Sequence, residues 1–296
     1  MQHKTVLLHE SIDNLDISSG SIFVDGTLGN GGHTEEVSKR FEDKVSIFAI
    51  DQDEDALERS KKRLSNYKNI TYILGNFGEI DTLLLSKGIK EVDVILLDIG
   101  LSSNQLEESG RGFSFQKDEP LLMSFKKDTT EKDLTAYEIV NSWDEENILS
   151  IISGYGEEKF AYRIAKAIVR SRKIKKIETT HELVDIILSA TPSFYHRKKI
   201  HPATKTFQAL RITVNDEIGN LKKGISKSFN ILKKEGRLAV IAFHSLEDRV
   251  VKNMFKEFED NKLGKKINKK PIIPSEEESK ENPRSRSAKL RVIKKI

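Results

Sequence analysis

The residues with the clearest potential for chemistry form a glycine-rich turn near the start of the chain, Asp25-Gly-Thr-Leu-Gly-Asn-Gly-Gly-His33. The turn follows a short apolar run, Ile22–Asp25, and precedes a segment that we predict to become helical near Thr34. Glycine lets the backbone turn tightly and approach a ligand, because no Cβ stands in the way. Free N–H groups at the start of a helix favour an anionic group. This order of elements is typical of nucleotide-like cofactor sites in open α/β sheets.

Single residues at the ends of the next apolar runs extend this site. The glycines do not follow the G-x-G-x-x-G spacing of dinucleotide sites. Asp51 suits hydrogen bonds to a ribose diol, which both NAD and S-adenosylmethionine present. Phe77 follows the third run, where an adenine would lie, and Asp98 ends the fourth, near the reactive group of a cofactor. Asp51 alone also fits a helix cap and Phe77 alone a core side chain, but acids gathered in one crevice indicate a functional site.

The pattern of apolar runs predicts the elements that carry these residues. The predicted strands are Ile22–Asp25, Val45–Asp51, Ile70–Leu74 and Val92–Asp98, with helices at Glu54–Leu64 and Ile80–Lys87 between the later ones. The runs do not alternate cleanly between apolar and polar residues, which is typical of parallel strands buried on both faces. The repeated order of strand and helix predicts right-handed crossovers and a doubly wound α/β sheet.

The alternation stops after Asp98, and a helical pattern replaces it. We predict a helical insertion over residues 105–200, with its clearest helices at Glu157–Arg172 and Thr180–Ala190. Residues 1–104 and 201–296 would then form the core domain, with another strand at Gly236–Phe243 and a helix at Leu246–Phe258. Two alternatives remain for residues 261–288: disorder, or a loop beside short strands at Pro271–Ile273 and Lys289–Ile293.

Composition narrows the class of protein. The chain has 296 residues, of which 37% are hydrophobic and 32% charged, and it has no cysteine. Disulfides and thiolate–metal sites are therefore excluded. No apolar run approaches the roughly 20 residues that span a bilayer, and the first residues do not resemble a signal peptide, so we expect a cytoplasmic protein without a membrane partner. Neither a P-loop nor an H-E-x-x-H spacing is present, and we expect no metal.

Positive charge is concentrated in three clusters. The net charge is +4, and the stretch from Lys159 to Lys176 holds eight basic residues and no acid. Steps of three and four place part of this cluster on one helical face, namely Lys159, Arg163, Lys166, Arg170 and Lys173. Further clusters lie at His196–His201 and Arg284–Lys295. Any one cluster also fits a solvated helix face, but three of them favour a polyanionic partner.

Several long motifs, taken together, resemble one known family. They are Asp25–His33, Leu97-Asp-Ile-Gly-Leu-Ser-Ser103 with Gln105-Leu106, Arg111-Gly-Phe-Ser-Phe115, His201–Arg211, Phe243-His-Ser-Leu-Glu-Asp-Arg249 and Asn282–Arg291. The chain resembles the bacterial 16S rRNA (cytosine-N4)-methyltransferases, the MraW family. The resemblance runs from His3 nearly to the C-terminus, and it is specific because several long motifs occur in order.

The resemblance implies a class I, Rossmann-like methyltransferase fold that uses S-adenosylmethionine and carries a helical insertion domain. The expected product is N4-methylcytidine at one decoding-centre position of 16S rRNA in the small ribosomal subunit. The family's cofactor contacts carry over onto Gly31, Gly32, His33, Asp51, Phe77, Asp98 and Gln105. The candidates for holding the cytosine amine and accepting its proton are Asp98, Ser102 and Ser103.

Further residues are candidates for contact with RNA. His244 and Ser245 follow the strand that ends at Phe243. One prediction is that both residues contact the target nucleotide, and the alternative is that Ser245 caps the next helix. In the insertion, the basic helix would bind phosphates through Arg163, Lys166 and Arg170.

The chain departs from the family in one loop, where Leu122 and Ser124 stand in place of the family's aspartate and arginine. Any ion pair or RNA contact that those two residues make in relatives is absent here. Two other functions remain as alternatives, an NAD-linked oxidoreductase and a non-catalytic RNA-binding assembly factor. A monomer and a homodimer fit the sequence equally.

Overall fold

The computed structural model describes residues 4–100, 109–126, 129–130 and 133–296. The chain forms two compact units, one made of Met1–Gly100 with Ile218–Ile296 and the other of Leu101–Glu217. None of the helices in these described ranges combines the length and the hydropathy that a membrane-spanning segment requires.

The described strands and helices follow one another along the chain. The strands are β1 Ile22–Asp25, β2 Ser46–Asp51, β3 Ile70–Leu74, β4 Val92–Ile99, β5 Leu232–Ala242, β6 Gly264–Lys266 and β7 Lys289–Lys295. The helices are α1 Leu8–Leu15, α2 Gly32–Phe41, α3 Glu54–Arg63, α4 Ile80–Leu85, α5 Ala136–Ser142, α6 Glu145–Gly154, α7 Ala161–Arg172, α8 Thr180–Ala190, α9 Ser193–His196, α10 Thr204–Val214, α11 Glu217–Ile231, α12 Ser245–Asp260 and α13 Glu276–Glu281.

The first unit is built on a seven-stranded sheet in the order β3-β2-β1-β4-β5-β7-β6. Strands β1 to β5 are parallel to one another, whereas β7 pairs antiparallel with both β5 and β6. Successive residues of β4 point to opposite faces, so Ile95 and Leu97 enter one apolar core while Val94 and Leu96 enter another. Because both faces are buried, the predicted absence of alternation and the predicted doubly wound α/β fold are confirmed.

The C-terminal segment is ordered, so the disorder alternative for residues 261–288 is wrong. The predicted strand at Pro271–Ile273 is reduced to a single bridge between Ile272 and Leu290, and β6 lies earlier, at Gly264–Lys266. Contacts with the N-terminal segment hold α13, since Glu278 accepts the backbone N–H of Leu7 at 2.9 Å and Glu281 pairs with Lys4. These partners are distant in sequence, and the polar composition of the segment does not reveal them.

The second unit is helical, and its core includes α10. Ala203, Phe207 and Leu210 pack with the buried side chains of α5 to α8, including Ile164 and Ile168 of the basic helix α7. The contacts therefore divide the chain after Glu217, whereas the sequence predicted that the insertion ends at residue 200. Helix α7 begins at Ala161 rather than at the predicted Glu157, while α8 spans the predicted Thr180–Ala190 with Thr179 as its cap.

A buried amide joins two segments of the helical unit. The Asn141 side chain donates to the carbonyl of Ile177 at 2.8 Å and accepts the N–H of the same residue at 3.0 Å. Asn141→Ala leaves both backbone groups without a partner, so we expect the free energy of unfolding to fall by about 2 kcal/mol or more. Urea denaturation measures this change. The exposed Asn147, whose side-chain amide donates to Asp144 Oδ2 at 2.9 Å, is the matched control, and Asn147→Ala should change the stability by less than about 1 kcal/mol.

Candidate active site

The glycine turn joins β1 to α2 and is tied to the end of β2. Leu28 donates its N–H to the carbonyl of Ile50 at 2.9 Å, and Gly29 donates to Asp51 Oδ2 at 2.7 Å. Helix α2 begins at Gly32, two residues before the predicted start, and its N-cap Gly31 has φ 74°. Because a side chain at that φ is strained, Gly31 is required by the backbone. The turn thus brings the first N–H groups of α2 to the carboxyl end of the sheet.

One glycine in the turn makes room for protein rather than directly for a ligand. A Cβ on Gly32 would lie 1.8 Å from Thr5 Oγ1, because the N-terminal segment packs against the start of α2. The sequence predicted that the glycines bring the backbone close to a ligand. At Gly32 the missing side chain instead accommodates Thr5, while the backbone N–H groups at the start of α2 remain the groups that face an anion.

Two acids end neighbouring strands beside this turn. Asp25 accepts hydrogen bonds from the Thr34 hydroxyl at 2.8 Å and the Thr27 N–H at 3.2 Å. Asp51 accepts from the N–H groups of Gly29 at 2.7 Å and Asp53 at 2.9 Å. Burial raises the pKa of each carboxyl to about 6, although these hydrogen bonds favour the charged form. Each Asp51 oxygen keeps acceptor capacity after these bonds, which suits the hydroxyl groups of a ribose.

Asp98, at the end of β4, is the most strongly perturbed of these acids. Burial raises its pKa to about 8, and the negative charges of Asp25 and Glu247 raise it further in the same direction. Its backbone N–H donates to the Thr27 hydroxyl at 2.6 Å, which fixes the position of the residue. Within the described residues, Asp98 Oδ1 is buried and has no hydrogen-bond partner. A buried acid in this state favours a positively charged ligand, because a cation stabilises its ionised form.

His33 and Phe77 complete the side chains that surround the turn. The buried His33 has its Nδ1 3.9 Å from Asp98 Oδ2. Phe77 begins a short turn after β3, where Asn76 accepts the Gly78 N–H at 2.7 Å. The Phe77 ring packs against α11, since a Cβ on Gly224 would lie 2.4 Å from its Cδ2 atom. The ring is only partly buried, which leaves surface for a flat ligand.

The remaining predicted site residues fall into two groups of three. Ser102, Ser103 and Gln105 lie outside the described residues. The exposed side chains of Arg163, Lys166 and Arg170 lie on α7 in the helical unit. These six positions therefore stay predictions.

The cap of α12 is His244, so the alternative role predicted for Ser245 is wrong. His244 Nδ1 accepts the Glu247 N–H at 3.3 Å, and Glu247 Oε2 accepts the N–H groups of Phe243 at 2.8 Å and His244 at 3.3 Å. Ser245 is the exposed first residue of the helix.

Glu247 and Thr27 are the site residues that sequence reasoning missed. Glu247 is buried by its capping role, and from there its charge acts on the pKa of Asp98. Its position three residues after the cap is the spacing of a capping box, which is the signal that would have found it. Thr27 lies inside the glycine turn, and no sequence signal distinguished it from the other residues of that turn.

The parallel sheet carries the glycine turn, acids at three strand ends and a partly buried ring. These features suit an adenosine-containing cofactor with a positively charged reactive end. A methyltransferase has a site of this kind. The chain belongs to the MraW methylase family, whose model matches residues 1–296. The methyl donor of this family is S-adenosylmethionine, and Asp51, Asp98 and the N-terminus of α2 fit its ribose, positive charge and carboxylate.

Sequence relatives cover the whole chain. The ribosomal RNA small subunit methyltransferase H of Clostridium botulinum (strain Kyoto / Type A2) is 48% identical over 310 residues, covering 100% of this chain and 99% of that protein. The protein of the same name from Sulfurihydrogenibium sp. (strain YO3AOP1) is 47% identical over 297 residues and is covered completely, as is this chain.

Solved structures align more distantly. They include an rRNA methylase from Streptococcus thermophilus, with 14% identity, a TM-score of 0.46 and coverage of 100% of this chain and 99% of that chain. Another is NSun6 from Pyrococcus horikoshii with SFG, with 13% identity, a TM-score of 0.49 and coverage of 99% and 53%. At this level of similarity neither alignment bears on the family membership, which rests on the family model and the sequence relatives.

The state of Asp98 predicts that cofactor binding depends on pH. Its carboxyl is largely neutral below its pKa of about 8, and a cationic ligand needs the carboxylate, so binding releases a proton. We expect the affinity for S-adenosylmethionine to rise by up to about tenfold per pH unit between pH 6 and 7.5. Calorimetry in buffers of different ionisation enthalpy counts the released protons. Asp98→Asn should remove most of that release, and equal affinity of the unchanged protein at both pH values would contradict the prediction.

Because Phe77 packs on Gly224, a substitution at Gly224 can displace the Phe77 ring while Phe77 itself is kept. Gly224→Ala places a methyl group 2.4 Å from the present position of Phe77 Cδ2, so the ring must shift. If Phe77 supports the adenine, we expect the dissociation constant for S-adenosylmethionine to rise by about tenfold, the effect of about 1.4 kcal/mol. The matched control is Gly154→Ala, which meets open space at the end of α6. Unchanged affinity in a folded Gly224→Ala protein would exclude the role assigned to the ring.

Proposed function

We propose that this protein transfers the methyl group of S-adenosylmethionine to the exocyclic N4 amine of a decoding-centre cytidine in 16S rRNA, giving N4-methylcytidine. The site observation that carries the reaction is the buried carboxyl of Asp98 beside the glycine turn. Support for the substrate comes from relatives named ribosomal RNA small subunit methyltransferase H, at 47–48% identity over the full chain. The family resemblance of the sequence motifs supports the N4 position.

The residues of the first unit would hold the cofactor by complementary groups. Asp51 accepts hydrogen bonds from the ribose hydroxyls, and the N–H groups of Gly32 and His33 receive the methionine carboxylate at the positive end of α2. Phe77 supports the adenine ring. When bound, S-adenosylmethionine supplies an electrophilic methyl group on a positively charged sulfur.

The cytosine amine is a poor nucleophile, because its lone pair is delocalised into the ring. Its reaction needs alignment with the methyl group at about 3–3.5 Å and a group that accepts the amine proton. Asp98 is suited to that role, since the bound cofactor would keep its carboxyl ionised and its Oδ1 has no partner within the described residues. Oδ1 would accept a hydrogen bond from the amine, orient its lone pair and then take its proton. Ser102 and Ser103 are the further candidates for holding the amine.

The helical unit would bind the RNA in this proposal. Arg163, Lys166 and Arg170 contact phosphates, which positions the substrate without reading its sequence. His244 and Ser245 contact the target nucleotide, which must leave its stack to reach the methyl group. The protein would act in the cytoplasm, on the small ribosomal subunit.

The family membership speaks against one of the two alternative functions but not against the other. Membership of a methylase family speaks against an NAD-linked oxidoreductase, as does the glycine spacing. A non-catalytic RNA-binding assembly factor shares the family and the fold, so turnover is what separates it from an enzyme.

Formation of N4-methylcytidine by the purified protein is the test of the proposed function. Purified protein, small ribosomal subunits from a strain without the gene, and S-adenosylmethionine should yield N4-methylcytidine in nucleoside mass spectrometry. Asp98→Ala removes the proton acceptor and a cofactor contact, so we expect the rate to fall by at least about 100-fold. Asp43→Ala, at an exposed acid between α2 and β2, is the control and should keep full activity. Methylation at another atom would refute the N4 assignment, and normal turnover by folded Asp98→Ala protein would refute the role of Asp98.

A further inference from the structure

Two large aromatic side chains are exposed on the helical unit beside the basic residues of α7. Tyr162 is 56% exposed and Phe194 is 57% exposed. Apolar rings of this size are usually buried, and a group of them on a surface marks a place where a partner binds. The family motifs of the sequence do not include either residue.

Each exposed ring is accompanied by a cation. The Lys159 ammonium lies 5.2 Å from the centroid of Phe194 and 4.6 Å from that of Phe160. The Lys166 ammonium lies 5.7 Å from the centroid of Tyr162, and the Arg163 guanidinium lies 5.8 Å from that of Phe160. These residues form what we call the aromatic–basic face: Lys159, Phe160, Tyr162, Arg163, Lys166 and Phe194.

Buried contacts hold the face in position. The Tyr195 hydroxyl donates to Glu158 Oε2 at 2.6 Å, and Glu158 Oε1 accepts the N–H of Phe160 at 2.9 Å. These bonds fix the short helix α9, which carries Phe194, to the start of α7. The rings are therefore presented by a rigid support, which lowers the entropy lost on binding.

The combination of rings and cations indicates the chemistry of the partner. No acid occurs between Lys159 and Lys176, so the face is complementary to a polyanion. Phosphates alone would not require exposed rings. Bases inside a duplex are stacked on one another, whereas unpaired nucleotides offer free base faces for aromatic side chains and phosphates for cations.

We propose that the aromatic–basic face binds unpaired nucleotides of the RNA substrate, with Tyr162 and Phe194 stacking on bases while Arg163 and Lys166 contact phosphates. This inference rests on the proposed function and extends it, because it makes the helical unit selective for single-stranded RNA. Such a preference places the enzyme on a segment whose bases are already out of a helix, which reduces the work of exposing the target cytidine.

Binding of two RNA probes separates stacking from charge. The probes are a fluorescent unstructured RNA and a hairpin duplex of the same composition, measured by anisotropy on the full chain. Phe194→Ala and Tyr162→Ala should each weaken binding of the unstructured RNA by about tenfold. They should leave duplex binding and the salt dependence unchanged. Arg163→Gln and Lys166→Gln should weaken both probes and each lower the salt slope by about one.

Matched variants control for folding and for general surface changes. Phe194→Tyr and Tyr162→Phe keep a ring and should keep the preference for unstructured RNA. Leu85→Ala removes an apolar side chain that is 57% exposed at the end of α4, and it should change neither probe. Equal losses on both probes, or no loss with Phe194→Ala and Tyr162→Ala, would overturn the inference. Tighter ring-dependent binding to anionic lipid vesicles than to RNA would also overturn it, in favour of a membrane surface.

Failure of this inference and failure of the proposed function give different results. If the protein forms N4-methylcytidine while the ring variants bind unstructured RNA normally, only the inference fails. If the rings give the preference for unstructured RNA while the unchanged protein forms no N4-methylcytidine, only the proposed function fails.

Discussion

The site in the first unit depends on a buried carboxyl, that of Asp98, which the described residues leave without a hydrogen-bond donor at Oδ1. Thr34 and Thr27 donate to Asp25, and the backbone of the α12 cap donates to Glu247. Asp98 Oδ1 has no such donor within the described residues, although Asp25 and Glu247 both act on its charge. Leaving a carboxyl in this state costs stability, and functional sites are where such costs are found. The arrangement is best explained by a ligand that brings positive charge to this place.

Strand pairing is what gathers the acids. In the parallel register, Asp25 of β1 lies opposite Ala49 of β2 and Leu96 of β4, so Asp51 and Asp98 follow two residues further along their strands. The same pairing lets Asp51 accept the N–H of Gly29, which shapes the turn before any ligand binds. One carboxylate thus organises the protein backbone and also keeps acceptor capacity for a ribose. Preorganisation of this kind lowers the cost of binding.

The sheet can be predicted from the sequence, because strands buried on both faces appear as apolar runs without alternation between apolar and polar residues. The positions of Asp51 and Asp98 at strand ends follow from those runs. The raised pKa of Asp98 does not follow, since it comes first from burial in the packed structure and then from the charges of Asp25 and Glu247, the last of which lies far along the chain. The cap at His244 was missed because an imidazole nitrogen is an uncommon cap acceptor, whereas serine is a preferred one. The contact between Gly32 and Thr5 likewise exists only after the N-terminal segment has packed.

The helical unit has a hydrophobic core of its own, which affects how its surface can vary. The loop that carries Leu122 and Ser124, where the family has an acid and an arginine, is held mainly by Arg111 and Asn215, and the Ser124 hydroxyl also accepts the Lys126 N–H at 3.2 Å. Arg111 donates to the carbonyls of Ser124 at 3.2 Å and Phe125 at 2.8 Å, and Asn215 Oδ1 accepts the Phe125 N–H at 2.9 Å. Because Arg111 and Asn215 bind backbone groups of the loop, an acid at position 122 and an arginine at position 124 are not needed to hold it. A separate core and a loop held through its backbone let the helical unit change its surface side chains while the acids of the first unit keep their positions.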